Sequence, residues 1–500
     1  MAVTELRPPT YGNWRRPQTA GLGGLGSLGT AALLFGLIAV IITMMLAGLV
    51  AALGVLVAVA SFLALLLLHD RHGRSGLQRL STRIGWWRAR KAGANLYRSG
   101  PLGHTPWGVF QLPGLAAASR LSEWADSYGR PFALLHVPRT SHYTVVLAAE
   151  PDGASLVDPD QIDSWVSHWG GWLAGLGAEP GLVAVSVTVE TAPDSGTRLR
   201  REVELHADPD APAAALAMLR EVVEVYPAGS ATTKAWVALT FAAATRTGGR
   251  RREPQEMARE LASRLPGLSR GLHATGAGAA RPVSAQELCE VVRVAYDPPA
   301  ARLIDAARAT GQVPELSWND VGPTAAQAGY DHYRHDAAWS VSWAMSSAPR
   351  GEVYSSVLSQ LLSPHSDVDR KRVTLLYRPM DAARAAHIVE QDKRNADFRA
   401  TASTRPTARV LLEQRSATSA AAEEARGAGL VNFGLVVTAT VLGADRLPDA
   451  RAAIDSLSAT ARIRLRTVYG SQDSAFAAGL PLGLVLPDHL RVPAELREAL

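Results

Sequence analysis

The sequence predicts an α+β protein in which an N-terminal two-helix transmembrane hairpin precedes a cytoplasmic body of two α+β sandwich-like modules with largely antiparallel sheets. Three observations lead to this prediction. Residues 33–68 are largely apolar and uncharged, a basic stretch follows them, and the rest of the chain alternates strand-like and helix-like patterns. Hydrophobic residues make up 47% of the chain, so the body can form its own cores.

The apolar run 33–68 is too long for one membrane span. As a single helix it would reach about 54 Å, whereas crossing a hydrocarbon core of about 30 Å needs roughly 20 residues. Two helices of about 18–20 residues with a very tight turn near Ala47–Gly48 fit better, because glycine tolerates turn geometry. Small residues would let the two helices pack closely, namely Gly36, Ala39, Ala47, Gly48, Ala51 and Gly54.

Basic residues flank the apolar run on both sides. Arg7, Arg15 and Arg16 precede it, and it is followed by Arg71, Arg74, Arg79, Arg83, Arg88, Arg90 and Lys91. Positive residues within about 20 residues of a span stay cytoplasmic. The pattern therefore predicts a multi-pass cell-membrane protein with two spans and both termini in the cytoplasm. A cleaved secretory signal is the alternative, but its apolar region would have only about 7–15 residues.

Charge and cysteine content restrict the possible partners and sites. The formal net charge is +5, and the excess of basic residues lies beside the apolar run. This location favours anionic lipid headgroups over a specific nucleic acid as the partner. Cys289 is the single cysteine, which excludes an intrachain disulfide and a multi-cysteine metal site. Its place in AQELCEVVRVAY predicts a buried core residue.

We expect the chain to divide into six segments, each with its own composition. In chain order they are a cytoplasmic polar arm at 1–26, the transmembrane hairpin at 27–68, a basic juxtamembrane amphipathic segment at 69–100, a first α+β module at 101–310, a linker at 311–329 and a second α+β module at 330–500. The relation between the two modules would be architectural, since no clean sequence repeat connects them.

The juxtamembrane segment has the pattern of an amphipathic helix. Leu77, Leu80, Ile84 and Trp87 recur at helical spacing, and arginines surround them. Such a helix would lie on the cytoplasmic face of the membrane, with its tryptophans at headgroup depth. A simple basic linker is the alternative. The predicted membrane-surface residues are Arg71, Arg74, Arg79, Arg83, Trp86, Trp87, Arg88, Arg90 and Lys91.

Periodicity predicts the elements of the body. The first module should contain a strand hairpin at 129–153, strands at 182–190 and 234–243, helices at 160–177 and 211–226, and mainly helices at 253–310. The second module should contain strands at 337–346, 372–379, 431–443 and 463–470, and helices at 352–363, 381–398, 407–429 and 447–462.

Sequence motifs for catalysis are weak. GLGGLG at 21–26 matches a dinucleotide-binding pattern but lacks the preceding strand, and the sequence contains no P-loop, H-E-x-x-H or G-x-S-x-G motif. In YDHYRHD, His332 and His335 could share a helix face with Asp331 or Asp336. Zinc needs at least three protein ligands, so a polar turn leading into a strand is the favoured interpretation. We therefore expect no catalytic residue, metal or cofactor.

Two side-chain groups are candidates for binding partner proteins. Trp165, Trp169 and Trp172 form a helical stripe with His168. Such a stripe is typical of core packing, with an exposed docking face as the alternative. A second group alternates along ARIRLR and would point to one face of a strand, namely Arg462, Arg464 and Arg466. These arginines would meet an acidic partner or protect a solvated sheet edge.

Several stretches together resemble a known family. They are TYGNWRRP, the membrane hairpin, RHGRSG, GRPFALLHVP and PGLVAVSVTVETAPDSGTRLR. The pattern resembles the actinobacterial EccE-domain proteins associated with type VII secretion, and most closely the subgroup encoded near conjugation-type machinery. The resemblance covers essentially the whole chain and rests on architecture, so no active site is carried over from it.

The C-terminal half has a second resemblance. GLVNFGLVVTATVLGADRLPDARAAIDSLSATARIRLRTVYGSQDSAFAAGLPLG is similar to the non-motor N-terminal domain of type IV secretion or conjugation ATPases. The hairpin likewise resembles the small two-span subunit that binds such ATPases. Because the motor half with its P-loop is missing, the resemblance implies a scaffold that binds other membrane subunits of a secretion complex and a separate ATPase. The alternative is a membrane-surface enzyme or lipid-binding module with a metal site at 330–336.

Overall fold

A computed structural model of the protein describes residues 10–12, 14, 26–68, 70–100, 103, 109–151, 153, 156–194, 196–208, 210–229, 231–244, 250–349, 351–402 and 405–490. The polar arm predicted at 1–26, with most of GLGGLG, lies largely outside the described residues.

The described residues form an α+β fold. The helices are α1 (Gly26–Leu67), α2 (Gly76–Lys91), α3 (Pro159–Leu176), α4 (Thr197–His206), α5 (Ala213–Gly229), α6 (Pro254–Arg270), α7 (Ala285–Tyr296), α8 (Ala300–Ala309), α9 (Ser359–Leu362), α10 (Ala382–Thr401), α11 (Ala408–Ala425), α12 (Leu447–Thr460) and α13 (Gln472–Ala478). The strands are β1 (Leu96–Arg98), β2 (Arg120–Ala125), β3 (Pro131–Val137), β4 (His142–Ala149), β5 (Leu182–Pro193), β6 (Ala231–Ala242), β7 (Arg281–Pro282), β8 (Ala325–Ala328), β9 (Tyr333–His335), β10 (Ala338–Ser347), β11 (Arg370–Pro379), β12 (Val431–Val441) and β13 (Arg464–Thr467).

Helix α1 is apolar over its length. Within the described residues, Gly29–Leu67 is the one stretch long and apolar enough to cross a membrane. Most of its large side chains are exposed, and an apolar surface of this extent needs lipid or another protein against it. The backbone departs from helical geometry at Gly48, with φ 82° and ψ −179°. A Cβ built on Gly36 would lie 2.5 Å from Cγ1 of Val59.

The strands pair in one antiparallel sheet. Its order is β1-β8-β9-β10-β12-β11-β5-β6-β4-β3-β2, with β13 pairing β10 and β7 pairing β4. The predicted α+β class and antiparallel pairing are confirmed. The sheet is continuous across the two predicted modules, because β5 pairs β11 from Val185↔Tyr377 to Thr191↔Lys371. Strand β8 falls within the predicted linker at 311–329.

Buried apolar side chains cover both faces of the sheet. In the first half, neighbouring residues of β3 face opposite cores, since Leu134 packs in the cluster of α3 and α6 and Leu135 packs in the cluster of α7 and α13. In the second half, α12 contributes Ile454 to a third cluster with Val341 and Val437. Cys289 is 1% exposed, which confirms its predicted place in the core.

The segment that contains α13 crosses the middle of the sheet. Threonines on the strands beneath it donate to its backbone: Thr374 Oγ1 lies 3.0 Å from Gly479 O, and Thr240 Oγ1 lies 2.9 Å from Gly483 O. A Cβ on Gly483 would lie 2.2 Å from Thr240 Oγ1, so only glycine fits there. These contacts fix α13, and with it the neighbouring β13, against the sheet.

Candidate functional site

A cavity of about 780 Å³ lies between the basic segment that follows α1 and the strand β13. The residues that line it come from the basic segment, from β10, α12 and β13, and from the turns at Tyr330 and Tyr469. Arginines dominate the charged lining, namely Arg71, Arg74, Arg79, Arg83, Arg451 and Arg466. The carboxylates in the lining are Asp70 and Asp455.

The turn between α1 and α2 forms the first wall. Asp70 Oδ1 accepts hydrogen bonds from the backbone N–H of His72, at 2.7 Å, and of Arg74, at 3.3 Å. Burial alone would raise the pKa of the Asp70 carboxyl, but these hydrogen bonds and the charges of His72 and Arg79 hold it below its usual value. Ser75 then caps α2 by accepting from Gln78 N–H. The chain thus turns sharply from α1 into α2.

One side of α2 is packed against the body. The ring of Trp86 meets Tyr330 edge-on at 5.2 Å between centroids, and Tyr330 stacks on Tyr469 at 5.1 Å. Gly470, with φ 74°, lies under the helix, and a Cβ there would be 3.2 Å from Thr82 Cγ2. Glycine therefore supplies both the left-handed backbone and the close approach that this contact requires.

Strand β13 forms the opposite wall. Arg466 lines the cavity, and Arg464 is exposed and donates from Nη1 to Arg71 O at 3.3 Å. Burial and the nearby charge of Arg74 lower the pKa of Arg466. The alternating pattern predicted Arg462 on the same strand, but β13 begins at Arg464 and Arg462 lies in the preceding turn with φ 53°. Two of the three alternating arginines therefore share the strand.

The cavity carries an excess of positive charge. Its lining contains six arginines and two aspartates. Arg451 forms an ion pair with Asp331 at 2.7 Å. Four further cavity arginines form no ion pair: within the described part of the chain, no carboxylate oxygen lies within 4.0 Å of the side-chain nitrogens of Arg74, Arg79, Arg83 and Arg466. Burial and the charges of Arg71 and Arg466 also lower the pKa of His72, against the effect of Asp70. This arrangement suits an anion with several oxygen atoms.

The other side of α2 faces away from the body. Leu80, Ile84 and Trp87 are exposed there at i, i+4 and i+7, and Trp87 is 59% exposed. The predicted helix and its apolar stripe are therefore present. Both tryptophans were predicted at headgroup depth, but Trp86 packs on the body and, of the two, Trp87 points outward. The remaining predicted surface residues, Arg88, Arg90 and Lys91, are also exposed.

The tryptophan stripe of α3 packs inward. Trp169 stacks on Trp172 at 5.0 Å and meets Tyr377 edge-on at 6.0 Å. Trp165 covers Gly276, where a Cβ would lie 2.6 Å from the ring. These contacts favour the core interpretation of the stripe over the partner-docking one.

The histidines of YDHYRHD do not share a face. Tyr333–His335 is strand β9, not a helix, so side chains three residues apart point to opposite sides. His335 is buried between Tyr296 O, at 2.6 Å from Nδ1, and Ser340 Oγ, at 2.8 Å from Nε2. His332 instead contacts Asp331 at 2.8 Å. No group of three or more His, Cys, Asp or Glu side chains is placed to hold a metal ion in the part of the chain that the structure describes.

Sequence reasoning missed most of the body's contribution to the cavity. Arg451 and Asp455 lie on α12, and Tyr330 and Tyr469 lie in turns, far along the chain from the basic segment. The alternating arginines were noticed, but nothing in their spacing connects them to residues 70–83. The glycine in YG at 469–470 was the only local signal of a close approach.

Comparison with known families gives one match. The family described as "Domain of unknown function (DUF8461)" matches residues 18–78, which include α1, the Asp70 turn and the start of α2. The matched region ends before the body that supplies the second wall of the cavity. A search of curated proteins found no match.

Proposed function

We propose that this protein is a membrane-anchored, non-catalytic structural component of a type VII-like secretion or conjugation-type transfer complex. The observation that carries the proposal is the fixed contact between α2 and the body. Trp86 and Thr82 hold α2 on the body while its apolar side faces outward directly after α1. A body fixed in this way has one orientation toward the membrane, which is what a scaffold for membrane subunits requires.

In this proposal α1 is a hairpin of two spans that turns at Gly48. Two observations support the turn. Gly48 has a non-helical backbone, and Gly36 lies against Val59. In a straight helix, at about 1.5 Å per residue, those two residues would be roughly 35 Å apart. Basic residues on both sides of α1 support cytoplasmic placement of both flanks.

Cysteine labelling tests this topology. Cys289 gives little background, because burial and then the charges of Asp320 and Glu290 raise its pKa to about 12. A Leu46→Cys variant, at a position 83% exposed beside the turn, should react with a membrane-impermeant maleimide in intact cells. A matched Leu205→Cys variant, 64% exposed on α4, should react only after permeabilisation. Labelling of Leu205→Cys in intact cells would show that the body lies outside.

The exposed side of α2 would rest on anionic lipid headgroups. Leu80, Ile84 and Trp87 present apolar surface, while Arg83 and Arg88 flank it on the two sides of the helix. Basic residues close to an anionic leaflet are each worth about 1 kcal/mol. We expect no specific nucleic-acid partner, since the charge lies beside the apolar helix.

Membership of a secretion complex is supported by the sequence resemblances and is tested by purification. The tagged full-length protein should be extracted from its native membranes in mild detergent, and its companions identified by mass spectrometry. The proposal predicts a large assembly that contains further membrane subunits and a separate ATPase. A monodisperse protein without companions, under conditions that keep other membrane complexes intact, would rule out the scaffold role.

A further inference from the structure

We propose that the arginine-lined cavity is a binding site for the headgroup of an anionic phospholipid that carries two phosphates. The inference rests on the proposed position of α1 and α2 at the membrane. It goes further than surface attraction, because it assigns a defined pocket formed jointly by the juxtamembrane segment and the body.

The charge balance argues for two phosphates. Six arginines line the cavity against Asp70 and Asp455, a formal excess of four positive charges. Asp331 compensates Arg451 from outside the lining. Besides burial, the charge of Arg74 lowers the pKa of Arg466, because the two guanidinium groups repel each other. One phosphodiester carries one negative charge and would leave most of this excess in place, whereas two phosphodiesters would offset two of the three positive charges that remain after Asp331 is counted.

The size and position of the cavity argue for a lipid. Its volume of about 780 Å³ is in the range of pockets for organic ligands and far exceeds that of a single phosphate ion. Asp70 and Arg71, in the lining, follow α1 directly, and Leu67 and Leu68 at the end of α1 are exposed. A headgroup in the cavity would leave its acyl chains beside these leucines. Guanidinium groups can contact phosphate through two parallel N–H donors, which gives geometric selectivity.

The test uses the full-length protein, delipidated in detergent, and measures bound lipid by native mass spectrometry. The probes are cardiolipin, which has two phosphates, phosphatidylglycerol, which has one, and inorganic pyrophosphate as a soluble diphosphate. The proposal predicts that cardiolipin binds more tightly than phosphatidylglycerol and that pyrophosphate does not displace it at comparable concentration. Arg466→Gln should weaken cardiolipin binding about tenfold, the effect of losing one charge-assisted contact of roughly 1.5 kcal/mol.

Matched variants separate the cavity from general surface charge. Arg302→Gln removes an exposed charge from α8, outside the lining and away from α2, and should change cardiolipin affinity less than about twofold. Arg74→Gln, on the opposite wall from Arg466, should repeat the tenfold loss. Unchanged circular dichroism and thermal midpoint show that each variant is folded.

Three results would overturn the proposal. The first is equal cardiolipin affinity of Arg466→Gln and wild type. The second is an equal loss of affinity in Arg302→Gln and Arg466→Gln. The third is displacement of cardiolipin by pyrophosphate, which would assign the cavity to a soluble phosphate compound. The scaffold proposal can fail independently of this one. It is tested by the proteins that co-purify from native membranes, whereas the cavity proposal is tested by lipid binding to the purified chain.

Discussion

Two groups of arginines in this protein differ in what faces them. In the centre of the sheet, Arg372 is 2% exposed, its Cζ lies 4.5 Å from the ring centroid of Phe476, and its Nη1 lies 3.6 Å from Glu190 Oε2. Arg370 donates to the other oxygen of Glu190 at 2.5 Å. Burial lowers the pKa of Arg372 to about 10, against the effect of Glu190. Both arginines therefore pair with the same carboxylate within the chain.

In the cavity, Arg74, Arg79, Arg83 and Arg466 form no ion pair within 4.0 Å among the described residues. The charge of Asp70 favours that of Arg466 only from a longer distance. The comparison shows how to separate a structural cluster of charges from a binding one. Removing one partner of a buried pair leaves an unpaired buried charge and costs much stability. A cluster of like charges at an open cavity instead repels itself until an outside anion binds. The predictions below test this difference, from the largest expected effect to the smallest.

Removing Glu190 should have the largest effect on stability. Glu190→Gln would leave Arg372 buried without a countercharge, and breaking a buried pair in this way costs about 3–5 kcal/mol. The free energy of unfolding, from denaturant titration of the detergent-solubilised protein, measures the loss. In the double variant Glu190→Gln with Arg372→Met, the unpaired charge is gone, so stability should recover in part. If Glu190→Gln lowers the free energy of unfolding by less than about 1 kcal/mol, then Glu190 does not stabilise the charges of the central arginines.

Low pH should weaken the same central region. Burial, with a smaller effect from Arg372, lowers the pKa of His335 to about 3, despite its hydrogen bond to Tyr296 O. The unfolded chain takes up a proton below about pH 6.5 and the folded chain does not, so stability is complete above that pH and falls toward pH 3. Between pH 7 and pH 5, His335 should account for a loss of about 2 kcal/mol.

The variant His335→Asn isolates that contribution. It should be less stable than wild type at pH 7, because Asn cannot reach both Tyr296 O and Ser340 Oγ, but its stability should change less between pH 7 and pH 5. The difference in slope is the measurement, since burial also lowers the pKa values of His136 and His142. Equal slopes in both proteins would contradict the assignment to His335.

Most of the fold was predictable from sequence, because its elements have strong local patterns. The predicted strand at 372–379 and helix at 381–398 correspond to β11 (Arg370–Pro379) and α10 (Ala382–Thr401). Short edge elements were missed. Strands β1 and β8 have only 3 and 4 residues, which is too short for a periodic signal. The continuity of the sheet through β5 and β11 was also missed, since pairing between strands so far apart in sequence has no local signature.

The site was predictable only in parts. The sequence places the basic segment at the membrane and predicts an acidic partner or a solvated sheet edge for the alternating arginines, so it does not connect the two. Their meeting depends on Gly470 and Trp86, which bring α2 onto the body. The sequence could not show that Trp86 points inward and Trp87 outward, because the two residues are adjacent and of the same type. Their orientation depends on the stacked pair Tyr330 and Tyr469, against which Trp86 packs.

Removing Trp86 should release the first wall of the cavity. Trp86→Ala loses a half-buried aromatic contact, for which we expect a cost of about 1–2 kcal/mol. Helix α2 should then detach from the body, and trypsin in detergent should cleave at its arginines several times faster than in wild type. Trp87→Ala is the matched control: Trp87 is exposed, so its removal should leave the cleavage rate unchanged. Equal acceleration in both variants would mean that α2 is not held by the Trp86 contact.

The smallest effect should come from the cavity itself, and its sign is informative. Arg466→Gln removes a half-buried charge that Arg74 repels, so in lipid-free detergent we expect the free energy of unfolding to stay within about 0.5 kcal/mol of wild type or to rise. Arg464→Gln, one step outside the cavity on the same strand, serves as the matched control. A loss of about 3 kcal/mol or more in Arg466→Gln would place Arg466 with Arg372, as a charge that the fold itself requires. An unchanged free energy of unfolding would instead show that Arg466 contributes little to the stability of the fold, as expected of a side chain that binds an external anion.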